Sequence, residues 1–265
     1  MTERVSKLSV RTCAPNIACS NCNLRALCLP LMMQDDELQR LDDLVETRRH
    51  VRRGQALFRT GDRFDAVFAI RSGFFKTRLS STDGQEQVTG FQMAGEVLGL
   101  DGISEETHQC DAVALEDSQV CVIRYDQLEI LGREFGDLQR QFHKVMSRQI
   151  VNDHFVMQLL GGRRAEERLA AFLLDLTQRL RSRGFSASSL VLRMTREEIG
   201  TYLGLTLETV SRCFSKLQDD GVLLVKRRNI TVLDPAALAR LVHPRDSALD
   251  EGALDHVGAR LPEAG

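Results

Sequence analysis

The chain has 265 residues, of which 43% are hydrophobic and 27% are charged. This length can hold two modest domains, each with a core of its own, and the composition is that of an ordinary globular protein. No apolar run approaches the roughly 20 residues of a membrane-spanning helix, and the polar N-terminus has no signal-peptide core. We therefore expect a cytoplasmic protein without a membrane partner.

The net charge of −2 hides an uneven distribution of charge along the chain. Residues 163–243 hold 14 Lys and Arg against 9 Asp and Glu, whereas residues 1–162 hold 19 against 23. A basic segment within an acidic chain indicates one surface suited to phosphate groups and favours nucleic acid as a partner. From this observation alone, chance unevenness stays an alternative.

The N-terminal segment is unusually rich in cysteine. Residues 19–28 read CSNCNLRALC, a C-x2-C-x5-C arrangement, and Pro30 follows. A reducing cytosol does not favour structural disulfides, so this grouping indicates metal or redox chemistry. Three thiolates cannot complete a tetrahedral zinc site or a cubane cluster, and a fourth ligand must come from elsewhere. The spacing leaves zinc, an iron–sulfur cluster and inert cysteines open.

After the cysteines, the pattern predicts one helix and then a series of short strands. Residues 34–46 place Leu38, Leu41 and Val45 at helical spacing behind acidic residues that suit a helix start. Between residues 50 and 125, β-rich runs alternate with glycine turns and predict strands at 66–70, 74–79, 87–93, 111–115 and 120–124. Many short strands at near-regular spacing indicate an antiparallel sandwich or barrel.

A long helix is predicted over residues 137–160, where apolar residues recur every three or four positions. A helix of this length with one apolar face is a candidate dimer seam, although packing on its own barrel would give the same pattern. Asp153 interrupts the apolar face. The pair Gly161-Gly162 predicts a hinge after the helix. The predicted dimer-interface residues are Phe142, Met146, Ile150, Asp153 and Met157.

Residues 195–221 read TREEIGTYLGLTLETVSRCFSKLQDDG and predict two short helices joined at a glycine turn. Thr195 and Glu198 have the spacing of a capping box, which places a helix start at residue 195. Gly204 supplies the turn, and Thr206 can cap the second helix. This is the helix-turn-helix arrangement, for which a helical hairpin with a solvated charged face is the alternative.

The start of the predicted second helix carries side chains that can read bases. Arg can bond guanine bidentately, Glu can accept from cytosine, and Ser can adapt to either. Two apolar runs at 222–225 and 230–232 flank Lys226-Arg227-Arg228, which predicts a β-wing with a basic turn for phosphate contact. The predicted DNA-binding residues are Glu208, Ser211, Arg212, Lys226, Arg227 and Arg228.

Six stretches of the chain resemble the FNR branch of the cyclic-AMP receptor (CRP/FNR) superfamily, and together they span about residues 13–243. They are CSNCNLRALCLP (19–30), FAIRSGFFK (68–76), DGQEQVTGFQMAGEVLG (83–99), ALEDSQVC (114–121), AEERLAAFLLDL (165–176) and MTREEIGTYLGLTLETVSR (194–212). The resemblance implies an α+β fold with an N-terminal antiparallel β-roll of the cyclic-nucleotide-binding type, a long dimerisation helix and a C-terminal winged helix-turn-helix.

The resemblance also implies a function. It implies a regulator of the anaerobic response that is activated as a homodimer by an oxygen-labile [4Fe–4S] cluster, binds palindromic TTGAT-type sites on double-stranded DNA, and contacts RNA polymerase. Oxygen would convert the cluster to a [2Fe–2S] form, and dimerisation would then weaken. The implied ligands of the cluster are Cys19, Cys22, Cys28 and Cys121, the last from the end of a β-roll strand. The remaining cysteines are expected to be free (Cys13), buried in a strand (Cys110) and packed inward in the second helix of the pair (Cys213).

A cyclic-nucleotide ligand is not expected. Gly95-Glu96-Val97 resembles the phosphate loop of the cyclic-AMP receptors, which follow it with an Arg-Ser pair that binds the phosphate. Here the later stretch reads His108-Gln109-Cys110, so a buried phosphate would lack its charge partner.

The expected organisation is a cysteine segment at 1–33, a β-roll sensor domain at 34–136, a dimerisation helix and hinge at 137–162, a winged helix-turn-helix at 163–243 and a disordered tail at 244–265. Two other functions stay open. One is a helix-turn-helix regulator with a structural zinc site and no oxygen response. The other is a thiol redox enzyme using Cys19-x-x-Cys22. The sequence disfavours an enzyme, because a thioredoxin-like context is lacking and the helix-turn-helix would be unexplained.

Overall fold

The computed structural model describes residues 35–81, 84–186 and 188–242, together with Cys19, Cys22, Leu24, Leu27 and Cys28. The predictions for Cys13 and for a tail at 244–265 lie outside these residues. The chain divides into two compact units, residues 1–151 and 152–265, and the division falls inside the long helix rather than at either of its ends. None of the helices in the described ranges is long and apolar enough to cross a membrane.

In the described part of the first unit, eight strands are flanked by helices. Its elements are α1 (Asp35–Leu44), β1 (Val45–Val51), β2 (Ala56–Phe58), β3 (Ala66–Ser72), β4 (Phe74–Ser80), β5 (Glu86–Met93), β6 (Val97–Leu98), β7 (Asp111–Ala114), β8 (Ser118–Arg124), α2 (Tyr125–Glu134) and the larger part of α3 (Gly136–Gly162). The five strands predicted from the sequence are confirmed as β3, β4, β5, β7 and β8. The helix predicted at 34–46 is too long, because Val45 pairs with Ile123 and begins β1.

The strands form two antiparallel four-stranded sheets, with the orders β1-β8-β3-β6 and β2-β7-β4-β5. The β-roll expected from the sequence is confirmed. One apolar core lies between the sheets, and a second lies between the first sheet and the helices. The central strand β3 faces both cores, which is why residues 66–70 are all buried and read as a continuous apolar run.

The second unit is built from α4 (Ala165–Arg181), β9 (Ser189–Val191), α5 (Arg196–Leu203), α6 (Leu207–Asp219), β10 (Leu223–Lys226), β11 (Asn229–Val232) and α7 (Pro235–Val242). The three strands form one antiparallel sheet in the order β10-β11-β9. The winged helix-turn-helix is confirmed, and β9 and α7 add to it. Asp234 starts α7 by accepting a hydrogen bond from Ala237 N at 2.8 Å, and Pro235 suits its first position.

The hinge that the sequence predicts at Gly161-Gly162 stays a prediction, and the two glycines are helical in the structure. Both glycines lie in the last turn of α3, and the chain leaves the helix only at Arg163 and Arg164. A helix can continue through glycines when the carbonyl groups at its end are bound elsewhere. That condition is met here, because Arg168 donates a hydrogen bond to Leu160 O at 3.0 Å.

Candidate functional site

Cys121 lies in the middle of β8 rather than at the end of a strand, which corrects the sequence expectation. It pairs with Arg48 of β1 on one side and with Ala69 of β3 on the other. Successive side chains of a strand point to opposite faces, and here Val120 faces the core between the sheets while Ile123 faces the helices. Cys121 therefore stands on the face that meets the helices, on a strand that both neighbours hold in place.

The structure brings the four cysteines of the predicted ligand set to one pocket. Cys19, Cys22 and Cys28 line it from the N-terminal segment, and Cys121 lines it from β8. All four side chains are half-buried. The remaining described lining residues are Leu24, Leu41, Val45, Ala69, Ile70, Arg71 and Ile123. The walls are thus mainly apolar, and among the described lining residues only the cysteines can act as metal ligands.

Short backbone turns shape the cysteine segment, and contacts to α1 and to the β-roll attach it. Cys22 N donates to Cys19 O at 3.2 Å, and Cys28 N donates to Leu24 O at 3.0 Å. Cys19 N donates to the carboxylate of Asp42 on α1. Leu27 packs on the turn between β5 and β6, where a side-chain carbon added to Gly95 would lie 2.9 Å from Leu27 Cβ. The segment is therefore fastened at both ends of the pocket.

Gly95→Ala is expected to loosen this attachment. Gly95 has φ +89° and contacts Leu27, whereas Gly54 has φ +79° with nothing within 4 Å of an added Cβ. Both alanine variants carry backbone strain of about 1–2 kcal/mol, and only the first also displaces Leu27. We expect faster alkylation of the pocket cysteines in metal-free Gly95→Ala than in Gly54→Ala. Equal alkylation rates in the two variants would show that the Leu27 contact does not hold the segment.

Burial favours the neutral forms of the Cys19 and Cys121 thiols when no metal is bound, because it raises the pKa of both groups. Burial raises the pKa of Cys19, and the hydrogen bond to Asp42 acts in the same direction. Burial also raises the pKa of Cys121, while the guanidinium groups of Arg48 and Arg71 act in the opposite direction. Metal ligation by these side chains must therefore displace protons. The two arginines then offset part of the negative charge of four thiolates.

The chemistry of the donor set suits both kinds of metal group considered from the sequence. Four thiolates can hold one tetrahedral zinc, with Zn–S distances of about 2.3 Å, and four thiolates can equally hold a cubane cluster with one iron for each cysteine. Within the part of the chain that the structure describes, no group of three or more His, Cys, Asp or Glu side chains is placed to hold a metal ion. The donor set therefore fits a soft metal group without distinguishing zinc from an iron–sulfur cluster.

The cysteine pocket and the start of α3 share one apolar core. Cys19, Cys28 and Cys121 pack against the cluster of buried residues that contains Leu138 of α3. Phe142 packs on the same cluster, one turn further along α3. Core packing transmits displacement because protein interiors are close-packed. The cysteine pocket and the first half of α3 are therefore parts of one packed core.

The predicted dimer-interface residues follow one face of α3 and become more exposed along it. Phe142 and Met146 are half-buried, whereas Ile150, Asp153 and Met157 are exposed. Ile150 is 55% exposed and Met157 is 59% exposed, so this face of α3 presents two large apolar side chains to solvent. The spacing from Met146 through Met157 is four, three and four residues, which is the spacing of a coiled-coil seam.

The helix-turn-helix has the caps that its sequence predicts. Thr195 Oγ1 accepts from Glu198 N at 3.1 Å, and Glu198 Oε2 accepts from Thr195 N at 2.7 Å. α5 ends at Gly204, whose φ of +63° favours glycine. Thr206 Oγ1 then accepts from Thr209 N at 3.2 Å at the start of α6. The apolar residues on the inner faces of the two helices are buried: Ile199, Tyr202, Leu203, Val210, Phe214 and Leu217.

The predicted base-reading residues all lie on the exposed face of α6. Glu208, Ser211 and Arg212 are exposed, and Glu208 and Arg212 lie four residues apart on one row of the helix. Arg212 Nη2 donates a long hydrogen bond to Thr209 Oγ1 at 3.4 Å, and the Arg212 side chain is exposed to solvent. Leu207, the first residue of α6, is 46% exposed beside them.

The wing carries the predicted basic turn. Lys226 pairs with Asn229 at the end of the hairpin, and Arg227-Arg228 form its two-residue turn. All three basic side chains are exposed. The side chain of Gln218 on α6 accepts from Val225 N at 3.0 Å and joins the wing to the second helix of the pair. The exposed basic turn is the one predicted from the sequence to contact phosphate, and α6 carries the residues predicted to read bases.

Several contacts of the second unit escaped the sequence reasoning. Lys216 of α6 donates to both carboxylate oxygens of Glu166 on α4 at 2.7 Å. The guanidinium of Arg196 stacks over the Phe214 ring at 3.2 Å, and burial lowers the pKa of Arg196 to about 10. The two residues of each pair lie in different helices, so no short spacing in the sequence indicates that they are in contact. Both contacts fix α6, whose inward-facing Cys213 is buried as predicted.

Cys110 departs from its prediction. It is half-buried and precedes β7, where the prediction had placed a buried strand residue. Its thiol donates to Asp101 at 3.5 Å, and burial raises its pKa. The side chain stays outside the strand because the bend before β7 turns it toward this carboxylate.

Comparison with known proteins agrees with this architecture. The cyclic nucleotide-binding domain family matches residues 48–134, and the Crp-like helix-turn-helix domain family matches residues 167–241. The transcriptional regulatory protein btr of Bordetella pertussis is 46% identical over 224 residues, which cover 84% of this chain and 93% of that protein. The fumarate and nitrate reduction regulatory protein of Escherichia coli is 41% identical over 233 residues, which cover 88% and 93%.

A third relative and a solved structure extend the comparison. The transcriptional activator protein Anr of Pseudomonas protegens is 44% identical over 223 residues, covering 84% of this chain and 91% of Anr. The structure of FixK2 from Bradyrhizobium japonicum superposes with a TM-score of 0.68 at 30% identity, covering 74% of this chain and 96% of FixK2. These relatives are transcription regulators rather than enzymes, which sets the redox-enzyme alternative aside. The chain thus belongs to the FNR branch of the CRP/FNR superfamily of DNA-binding transcription regulators.

Proposed function

We propose that this protein regulates transcription in the anaerobic response, using an oxygen-labile [4Fe–4S] cluster bound by Cys19, Cys22, Cys28 and Cys121. The observation that carries the proposal is the convergence of these four cysteines on one pocket from two distant parts of the chain. The names of the Escherichia coli and Pseudomonas relatives support it, since they refer to fumarate and nitrate reduction and to transcriptional activation. We also propose RNA polymerase as a partner, because one of these relatives is named as an activator of transcription.

In the proposed mechanism, the cysteine segment acts as a clamp on the core around α3. An iron–sulfur cluster supplies a group that reacts with oxygen and needs all four thiolates. Leu27 and Cys19 fasten the segment to the β-roll and to α1, and Cys28 and Cys121 pack toward Leu138. When all four cysteines are ligated, the segment holds this core in one arrangement. When they are released, the cysteine side chains no longer hold the segment.

We propose that α3 forms the dimer seam. Exposed Ile150 and Met157 are the apolar surface that a second copy would cover, and Asp153 lies between them on the same face. A two-fold dimer would bring each of these side chains close to its own counterpart. The pairing then presents two α6 helices to a palindromic site, one DNA turn apart.

No cyclic nucleotide takes part in this proposal. In the segment after the Gly95 turn, the ring of His108 is buried and stacks on Phe58 at a centroid distance of 3.7 Å. The carboxylate of Asp101 accepts from Gln109 N at 2.8 Å and contacts His108 Nδ1 at 3.4 Å. An acidic group here opposes the binding of a phosphate, which needs a cationic partner.

Base reading by α6 gives a testable prediction. Arg212→Ala should weaken binding to a TTGAT-type palindrome by about 1–3 kcal/mol, because a bidentate contact to guanine is lost. The loss should be confined to one base pair, at which the variant no longer discriminates. Fluorescence anisotropy with single-base variants of the site measures this. Equal weakening on every sequence would assign Arg212 to phosphate contact, as we expect for Arg227→Ala.

The experiment that tests the proposed function compares DNA binding with and without oxygen. We expect the anaerobically reconstituted protein to bind the palindrome and to lose that binding after exposure to air, at constant salt. The air-exposed protein should recover binding after anaerobic reconstitution with iron and sulfide. Binding that is equally tight in air would contradict the oxygen response and favour the regulator with structural zinc.

A further inference from the structure

One arginine at the start of α4 bonds three separate pieces of backbone in the second unit. Arg168 Nη2 donates to Leu160 O at 3.0 Å, Nε donates to Arg163 O at 2.9 Å, and Nη1 donates to Leu203 O at 3.0 Å. Leu160 lies near the end of α3, Arg163 lies in the link to α4, and Leu203 is the last residue of α5. A single guanidinium therefore joins the end of α3 to the first helix of the helix-turn-helix.

The chemistry of helix ends explains why an arginine can do this. The last four carbonyl groups of a helix have no partner within the helix. Leu160 and Leu203 present such carbonyls at the ends of two different helices. The guanidinium is planar and carries five donors in a fixed geometry, so it can satisfy several acceptors at once without losing its own alignment. A lysine would keep the charge without this fixed geometry.

Packing at the same point is tight. Leu159 is fully buried, and a side-chain carbon added to Gly204 would lie 3.2 Å from Leu160 Cδ2 and 3.4 Å from Arg168 Nη1. Gly204 is the turn residue between α5 and α6. Arg163 adds a second bond, from its Nη1 to Val242 O at 2.7 Å. The joint between α3 and the helix-turn-helix is therefore bound by side chains, although two glycines end the helix.

We propose that Arg168 is a positioning residue that fixes the direction of α6 relative to the end of α3. The proposal rests on the proposed function, in which α3 pairs with its copy and two α6 helices bind a two-fold site. A rigid joint then sets the distance and rotation between the two α6 helices. The joint therefore determines which spacing between half-sites the dimer accepts.

The test is the spacing preference of the reconstituted, anaerobic full-length chain. One inserted or deleted base pair moves a half-site by about 3.4 Å and rotates it by about 34°. We expect the wild-type protein to bind both altered palindromes at least about tenfold more weakly than the preferred one. In Arg168→Lys and Arg168→Gln, this discrimination should fall to within about threefold. Dimerisation, measured by sedimentation, should not change.

The control is Arg179→Lys on the same helix, since Arg179 bonds Asp175 within α4 at 3.1 Å. It should keep the wild-type spacing preference. A simple loss of stability in the Arg168 variants would weaken binding to all three palindromes by the same factor, and that result would overturn the proposal. The wild-type protein tests the proposed function separately, because a wild-type chain that binds no palindrome would contradict that function. If both Arg168 variants retain the preference of the wild-type protein, only the inference on Arg168 fails.

Discussion

Replacing Cys121 with serine is expected to abolish cluster assembly and anaerobic DNA binding. Cys121 supplies its side of the pocket from the middle of β8, where pairing with Arg48 and Ala69 leaves the backbone no freedom to move another donor into place. Of the described residues that line the pocket, none but the cysteines can ligate iron. A serine oxygen is a poor substitute for a soft thiolate. Cys19→Ser, Cys22→Ser and Cys28→Ser should have the same effect.

Iron and sulfide analysis of the anaerobically reconstituted variants measures this effect. Cys110→Ser is the matched control, because Cys110 is also half-buried in the first unit but lies outside the pocket and bonds Asp101. The control should retain the cluster and bind DNA as the wild-type protein does. A full iron and sulfide content in Cys121→Ser would show that the fourth ligand is another group.

Asp153→Ala is expected to produce a dimer that binds the palindrome in air, without a cluster. Asp153 follows Ile150 by three residues and precedes Met157 by four, so the three side chains share the face of α3 that we propose as the seam. In a two-fold dimer two carboxylates would approach each other in partly dry surroundings, which costs free energy. This repulsion would keep the cluster-free protein monomeric, and the ligated cysteine segment would have to outweigh it.

Sedimentation of the aerobic, iron-free variant tests this prediction directly. Asp153→Asn should behave similarly, because it removes the charge and keeps the shape. Asp137→Ala removes the other acidic residue of α3, which pairs with Arg140, and should stay monomeric in air. If Asp153→Ala is monomeric at concentrations where the wild-type holo protein dimerises, Asp153 lies at the solvated edge of the helix and does not control pairing.

The sequence was most informative where local chemistry determines structure. Capping residues at Thr195 and Thr206 and the glycine turn at Gly204 predicted the helix-turn-helix, because such caps depend only on neighbours in the chain. Glycine turns likewise revealed five strands of the β-roll. The edge strand β1 was missed because its arginine-rich sequence, VETRRHV, masks the alternation of a strand. β9 has only three residues, too few to show a period.

The candidate sites were less accessible to sequence reasoning, because they depend on contacts between distant residues. The spacing of the cysteines required a fourth ligand but could not identify it, and Cys121 followed only from the family resemblance. The alternation of residues 119–123 (QVCVI) could have placed Cys121 and Ile123 on the same face of a strand. It could not have shown that this face lies opposite α1. Arg168 escaped notice because its three partners are backbone carbonyls, which leave no trace in the sequence.

The central claim is that the four cysteines hold an oxygen-labile iron–sulfur cluster that controls DNA binding. The most direct test is the absorbance spectrum of the anaerobically purified protein, followed during admission of air, with DNA binding measured on the same samples. The account predicts a broad visible absorption that bleaches in air, with binding to the palindrome lost in parallel. A colourless protein that contains zinc, or a metal-free protein that binds the palindrome equally well in air, would contradict it.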